Sequence, residues 1–216
     1  EEALNSFLLA SQTSKADNLL NSQILLNLAS TYYKLGDIQK SSEVLKTVDV
    51  TPYNKNEKQK YYQILLNASR NIEDSELTLK SLVGLLGTYE SFHEMKAESA
   101  FGELDLAYRN ASDELRGNVR SDESYSKLVR GYLVYLESKI SESLGNRDNA
   151  ELYRDMIKND YSEYAELVAL VEGVEESIKI SAQIEPYTIG VVLPLSGERS
   201  SFGQRALMGI DSVLRL

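Results

Sequence analysis

The feature that most constrains this chain is a long stretch of helical periodicity almost free of proline. Three prolines occur in all, and two of them, Pro186 and Pro194, lie near the C-terminal end. From about residue 1 to residue 182 the apolar residues recur at three- and four-residue spacing, with short polar breaks between runs. A single amphipathic helical hairpin cannot cover its own apolar face, so successive hairpins must stack. The expectation is a mainly α protein built as a helical-repeat solenoid over residues 1–182.

The best-defined unit runs from Gln23 to Tyr53. Leu25, Leu28, Ala29 and Tyr32 fall on one helical face. Gly36 and Asp37 break the run, the glycine as a left-handed helix end and the aspartate as the next N-cap. Val44, Leu45 and Val48 form a second stripe, which Thr51-Pro52 stops. This helix–turn–helix resembles a tetratricopeptide repeat. Leu25, Leu28, Ala29 and Tyr32 match the family's first helix, Gly36 its inter-helix glycine, Ser41 its small packing position, and Leu45 and Val48 the core positions that follow. It departs in having Leu for the usual Trp and Ser for the usual Ala, and Pro52 sits one residue early.

Further hairpins are expected downstream. Residues 57–70, with Tyr61, Tyr62, Leu65 and Leu66, and residues 75–90, with Leu79, Leu82, Val83 and Leu86, flank a polar break at Asn71–Asp74. One longer helical segment is expected over 92–115, carrying Met95, Phe101, Leu104, Leu106, Tyr108 and Leu115. The segments 123–144 and 147–158 are joined by Leu144-Gly145-Asn146, and Gly145 to Ala150 repeats the spacing of Gly36 to Ser41. A last amphipathic helix over 161–182 turns Tyr164, Leu167, Val168, Val171, Val174 and Ile178 inward.

Beyond residue 183 the character changes. Tyr187 to Leu195 is short, β-branched and nearly all apolar, as in a buried parallel strand. A polar turn follows at Ser196–Ser201, and helical periodicity resumes from Phe202 to Leu216. A strand needs neighbours, and no earlier segment offers one, so residues 183–216 read as a linker and the first strand and helix of an incomplete α/β domain. Ile189-Gly190-Val191-Val192-Leu193-Pro194-Leu195-Ser196-Gly197, then Phe202-Gly203-Gln204 and Gly209, resemble the opening of the type I periplasmic-binding-protein fold. That resemblance implies that Ser196 and Phe202 could line a ligand cleft. A repeat solenoid leading into such a domain resembles the LpoA-type lipoproteins, outer-membrane activators of class A penicillin-binding proteins. The resemblance implies a non-catalytic, periplasm-facing lipoprotein that regulates peptidoglycan synthesis by engaging such a synthase. The alternative is the N-terminal part of an amino-acid or small-solute receptor serving an ABC transporter.

Charge and composition narrow the partners. The formal net charge is −10, and no basic stripe is present of the kind that phosphate binding needs, so nucleic acid is not expected. Lys55, Lys58 and Lys60, and Arg116 with Arg120, read as solvated helix ends. No apolar run approaches the ~20 residues that span a bilayer, so membrane attachment would rest on a lipid anchor outside this sequence. Zero cysteine removes disulfides, thiolate chemistry and cysteine-bound zinc.

His93, the one imidazole, has no metal or triad partner in reach of any pattern. Gly197 and Gly203 sit between strand and helix, but Gln204-Arg205 replaces the Lys-Ser/Thr of a phosphate loop. Carboxylate pairs such as Asp113-Glu114 and Glu175-Glu176 fall on helix exteriors. No enzyme, metal or cofactor is expected. The richer signal is the fourteen tyrosines. Tyr32, Tyr33, Tyr61, Tyr62, Tyr132 and Tyr135 lie on the first helices of hairpins, where they could line a protein-binding groove. One of each pair is equally a core residue.

Overall fold

A computed structural model of the chain describes residues 2–13, 18–173 and 202–208, and all regular structure among them is α-helical. The chain divides into two units, Glu1–Gly173 and Val174–Leu216. In the second unit only helix 202–208 is described, so the strand expected over 187–195 and the end of the helix expected over 161–182 lie outside the described residues.

The first unit begins with α1 (Glu2–Thr13) and α2 (Asn18–Lys34), then pairs α2 with α3 (Ile38–Leu45) and α4 (Lys55–Asn71) with α5 (Ser75–Leu86). Next come α6 (Phe92–Ala97), α7 (Phe101–Asn110) and α8 (Asp113–Ser121). The pair α9 (Lys127–Ser143) and α10 (Arg147–Asp160) follows, then a helix over 165–173, α11.

Three hairpins close with the same turn. Gly36 and Gly145 take φ of +82° and +75°, as the sequence pattern requires for a left-handed helix end. Glu73 takes φ of +55° at the corresponding point between α4 and α5, a conformation that costs a side-chain-bearing residue and that no residue pattern there announces. In each, the following N–H reaches back to close the last helical turn: Asp37 to Tyr32 O, Asp74 to Ser69 O and Asn146 to Ser141 O. The same residue then caps the next helix, its side chain accepting from the backbone N–H of Lys40, Leu77 or Asn149. Each cap contributes about 1 kcal/mol. Behind the turn a small residue lets the helices close. Ser41 is fully buried and donates its hydroxyl to Ala29 O at 2.8 Å, and Ala150 is buried at the matching position.

The inner face of α2 is centred on Leu26, Leu28 and Ala29. Leu25 packs at its margin and Tyr32 is half-exposed, with the Lys40 ammonium over its ring. One core cluster joins α2, α3 and α4 through Leu26, Ala29, Leu45, Tyr61, Leu65 and Ala68. A larger one runs from Leu66 through α5, α7 and α9 to Leu167 and Val171 of α11. Tyr62 packs against both.

The single helix expected over 92–115 is instead three. Glu98 takes an extended conformation after α6, and its carboxylate accepts from the Tyr89 and Ser99 hydroxyls. Ala111 is likewise extended, and Ser112 starts α8 by accepting from Leu115 N. Side-chain acceptors taking backbone donors, the Glu98 carboxylate at the first break and the Ser112 hydroxyl at the second, interrupt a run whose apolar period is otherwise continuous.

Candidate functional site

A concave polar site beside the expected tyrosines lies between α4, α5 and the loop 122–126 before α9. It encloses about 440 Å³ and is lined by Lys58, Tyr62, Gly84, Glu123 and Tyr125, among others. Local sequence places each part. Asn54 and Glu57 form a reciprocal capping box, each side chain bonded to the other's backbone N–H at 3.0 Å, which fixes the start of α4. Lys58, Tyr61, Tyr62 and Leu65 then fall along its inner side. Asp122 accepts from Ser124 N at 2.9 Å and Ser126 caps α9, so Tyr125 is held between two short-range anchors.

The adjacent tyrosines divide their roles. Tyr61 is buried, donates its hydroxyl to Leu45 O at 3.2 Å, and meets the Tyr62 ring edge-on with centroids 5.0 Å apart. Tyr62 lies over Gly84, where an added Cβ would come within 2.1 Å of its ring. Only a glycine at that point of α5 allows the ring to lie there. Burial pushes the Tyr62 and Tyr125 phenols above their ordinary pKa, and the charge of Asp122 pushes both further. Neither hydroxyl is held by a protein acceptor among the described residues.

The other expected tyrosines are elsewhere. Tyr132 is buried in an aromatic group with Phe92 and Phe101, at centroid distances of 5.6 and 4.9 Å, and donates to Asp105 Oδ1 at 2.6 Å. Tyr135 stacks on Tyr132 and is half-buried. Tyr33 is half-buried against the first core cluster. Within the second unit Phe202 is exposed, with the Arg205 guanidinium over its ring, and Ser196 lies outside the described residues.

One expectation is corrected. Arg116 and Arg120 are not solvated helix ends. Glu137 of α9, itself 6% exposed, draws them inward. Its Oε1 accepts from Arg116 Nε at 3.1 Å, from Arg120 at 3.0 Å and from the fully buried Tyr108 hydroxyl at 2.9 Å. Arg116 also donates to Ala111 O and to exposed Asp113, and Arg120 stacks on Tyr153. No period of apolar residues signals this, because a buried carboxylate looks like a surface one in sequence.

A second groove of about 380 Å³, between the turn after α4 and α7, has a largely apolar floor that includes Leu82 and Ala107, with Arg70 paired to Glu103 on its rim. His93 is exposed on α6. Among the described residues no group of three or more His, Asp or Glu could hold a metal ion, and no helix is long and apolar enough to cross a membrane. Comparison with protein-family models, curated proteins and solved structures gives no match.

Proposed function

We propose that this chain is a non-catalytic protein-interaction module whose hairpins stack as a tetratricopeptide-like solenoid. The observation that carries the reading is the recurrence of one turn, a left-handed residue followed by an N-capping Asp or Asn, in three separate hairpins. Equal turns give equal hairpin geometry, and equal hairpins are what a repeat array stacks. Such arrays act by presenting surface, and the partly exposed aromatic rings of Tyr32, Tyr33, Tyr62 and Tyr135 supply adhesive area at low entropy cost.

The partner follows from the sequence resemblance of residues 187–209. It is a class A penicillin-binding protein, engaged by a periplasm-facing, outer-membrane-anchored lipoprotein. The same residues favour a second reading, an amino-acid or small-solute receptor. Affinity capture from a bacterial envelope extract with the tagged 216-residue chain separates the two. Recovery of a class A synthase, reduced by Tyr32→Ala and Tyr33→Ala together, supports the interaction module. No synthase, with the membrane subunits of an ABC transporter captured instead, would overturn it in favour of the receptor.

A further inference from the structure

We propose that the cleft between α4, α5 and the loop 122–126 binds a small zwitterion of amino-acid or dipeptide size, its carboxylate on Lys58 and the Tyr62 and Tyr125 hydroxyls, its ammonium on Glu123. The inference stands apart from the choice of protein partner, because it rests on what this one cleft leaves unpaired.

Two tyrosines line the same cavity, and neither hydroxyl is taken by a protein acceptor among the described residues. This is unlike Tyr53, Tyr61, Tyr89, Tyr108 and Tyr132, whose hydroxyls are bonded to Ser22 O, Leu45 O, Glu98, Glu137 and Asp105. A half-buried phenol keeps its full hydrogen-bonding capacity, and two of them in one cleft form a donor pair for an anionic oxygen.

Lys58 and Glu123 complete the set. Both line the cavity, and neither joins an ion pair among the described residues, although their neighbours Lys55 and Lys127 do. Asp122, whose charge acts on both phenols, adds a second negative charge nearby, its carboxylate accepting from Ser124 N. One cation against two carboxylates disfavours a bare anion, so a carboxylate ligand has to bring its own positive charge. A zwitterion does so.

Size and shape agree. The volume of about 440 Å³ lies in the lower half of the range for small-molecule sites, about 300–1,000 Å³. Gly84 and Gly87 form part of the lining, and Val50 is its aliphatic member. That arrangement leaves space for a compact ligand with a small apolar side chain.

The test uses the whole 216-residue chain with ¹³C-labelled tyrosine rings. The Tyr62 and Tyr125 resonances are assigned by their loss in Tyr62→Phe and Tyr125→Phe. The probes are alanyl-alanine, its neutral analogue acetyl-alanyl-alanine amide, and acetate. Alanyl-alanine should move both resonances saturably and leave that of Tyr132 in place, while the neutral analogue and acetate move neither. Lys58→Met and Glu123→Gln should each weaken the binding about tenfold, the loss expected for one charge-assisted contact. Both changes keep the side-chain stem and lie at the surface, so the fold is retained. The proposal is overturned if neither resonance moves by about 10 mM dipeptide, roughly tenfold above a dissociation constant of about 1 mM. It is equally overturned if the neutral analogue acts as well as the zwitterion, or if both variants bind like the parent chain.

Discussion

Glu137 stands at a position that the other hairpins fill with leucine. Counting back from the N-cap residues Asp37, Asp74 and Asn146, it aligns with Leu28 and Leu65, both buried. Glu137→Leu therefore restores the leucine of the other two hairpins and should, by pattern alone, be harmless. The geometry says otherwise. The substitution would leave Arg116 and Arg120 without their shared carboxylate and the Tyr108 hydroxyl without an acceptor in a site closed to water.

Removing one member of a buried ion pair costs about 3–5 kcal/mol, most of it the penalty for the charge left behind. For a unit of this size that corresponds to a fall of roughly 10 °C in Tm, since each kcal/mol moves the midpoint by about 2–4 °C. Thermal and urea unfolding followed by far-UV circular dichroism would measure it. Replacing the partners together, as Tyr108→Phe, Arg116→Met and Arg120→Met with Glu137→Leu, removes the unpaired groups and should recover most of the loss. A single variant within about 1 kcal/mol of the parent would refute the argument, and so would a quadruple variant no better than the single.

Other outcomes follow from the same structure. Burial raises the phenol pKa of Tyr53, Tyr61, Tyr62, Tyr89, Tyr108, Tyr125 and Tyr132, with Tyr89 reaching about 12. A pKa raised on folding means the folded chain holds these protons more tightly. Their contribution is therefore complete below the unfolded value near 10 and is lost as pH rises beyond it. Phenolate absorbance should lag until a cooperative alkaline transition seen also by circular dichroism; a simple titration with unchanged helicity would count against the burial. At the turns, Gly36→Ala and Gly145→Ala should each cost about 1 kcal/mol, because an added Cβ meets no atom but the backbone is left-handed. Glu73→Gly should instead stabilise by about 0.5–1 kcal/mol, and a loss in urea unfolding would refute the shared turn. In Gly131→Ala the new Cβ would lie 2.7 Å from the Tyr161 ring and 2.9 Å from Leu167, so a destabilisation of about 1–3 kcal/mol is expected in the same assay.

The helices of the first unit were legible because burial and helical period coincide in them. Leu65, Leu66, Leu79, Leu82, Val83 and Leu86 are all buried as their spacing required. Gly36-Asp37 and Leu144-Gly145-Asn146 were legible because a glycine beside a capping residue has few other uses. The turn at Glu73 was not, since nothing about glutamate announces a left-handed backbone, and the Schellman-type closure there is imposed by Ser69 and Asp74 on either side. The breaks around Ser99 and Ser112 were hidden for a related reason. Apolar period continues across them while side-chain hydroxyls and carboxylates take over the backbone's donors.

Polar residues are where sequence and site part company. A tyrosine's helical position tells which face it occupies, but not whether its hydroxyl is engaged. Tyr61 and Tyr62 differ by one residue, yet the first spends its hydroxyl on Leu45 O and the second opens onto a cleft. What separates them is Gly84 on the neighbouring helix, which alone admits the Tyr62 ring, and Tyr125 in a loop fixed by Asp122 and Ser126. The cleft thus depends on three stretches far apart in sequence, each ordinary by itself. Arg116, Arg120 and Glu137 follow the same logic in the core: residues of surface type are drawn in, Arg116 and Glu137 fully and Arg120 in part, because α8 and α9 bring them to one point. Across these hairpins the apolar period sets which faces pack, and departures from it, Glu137 in a leucine position and Gly84 under an aromatic ring, mark where one hairpin differs from the next. Those departures are the places at which one hairpin acquires packing and polar contacts that the others do not share.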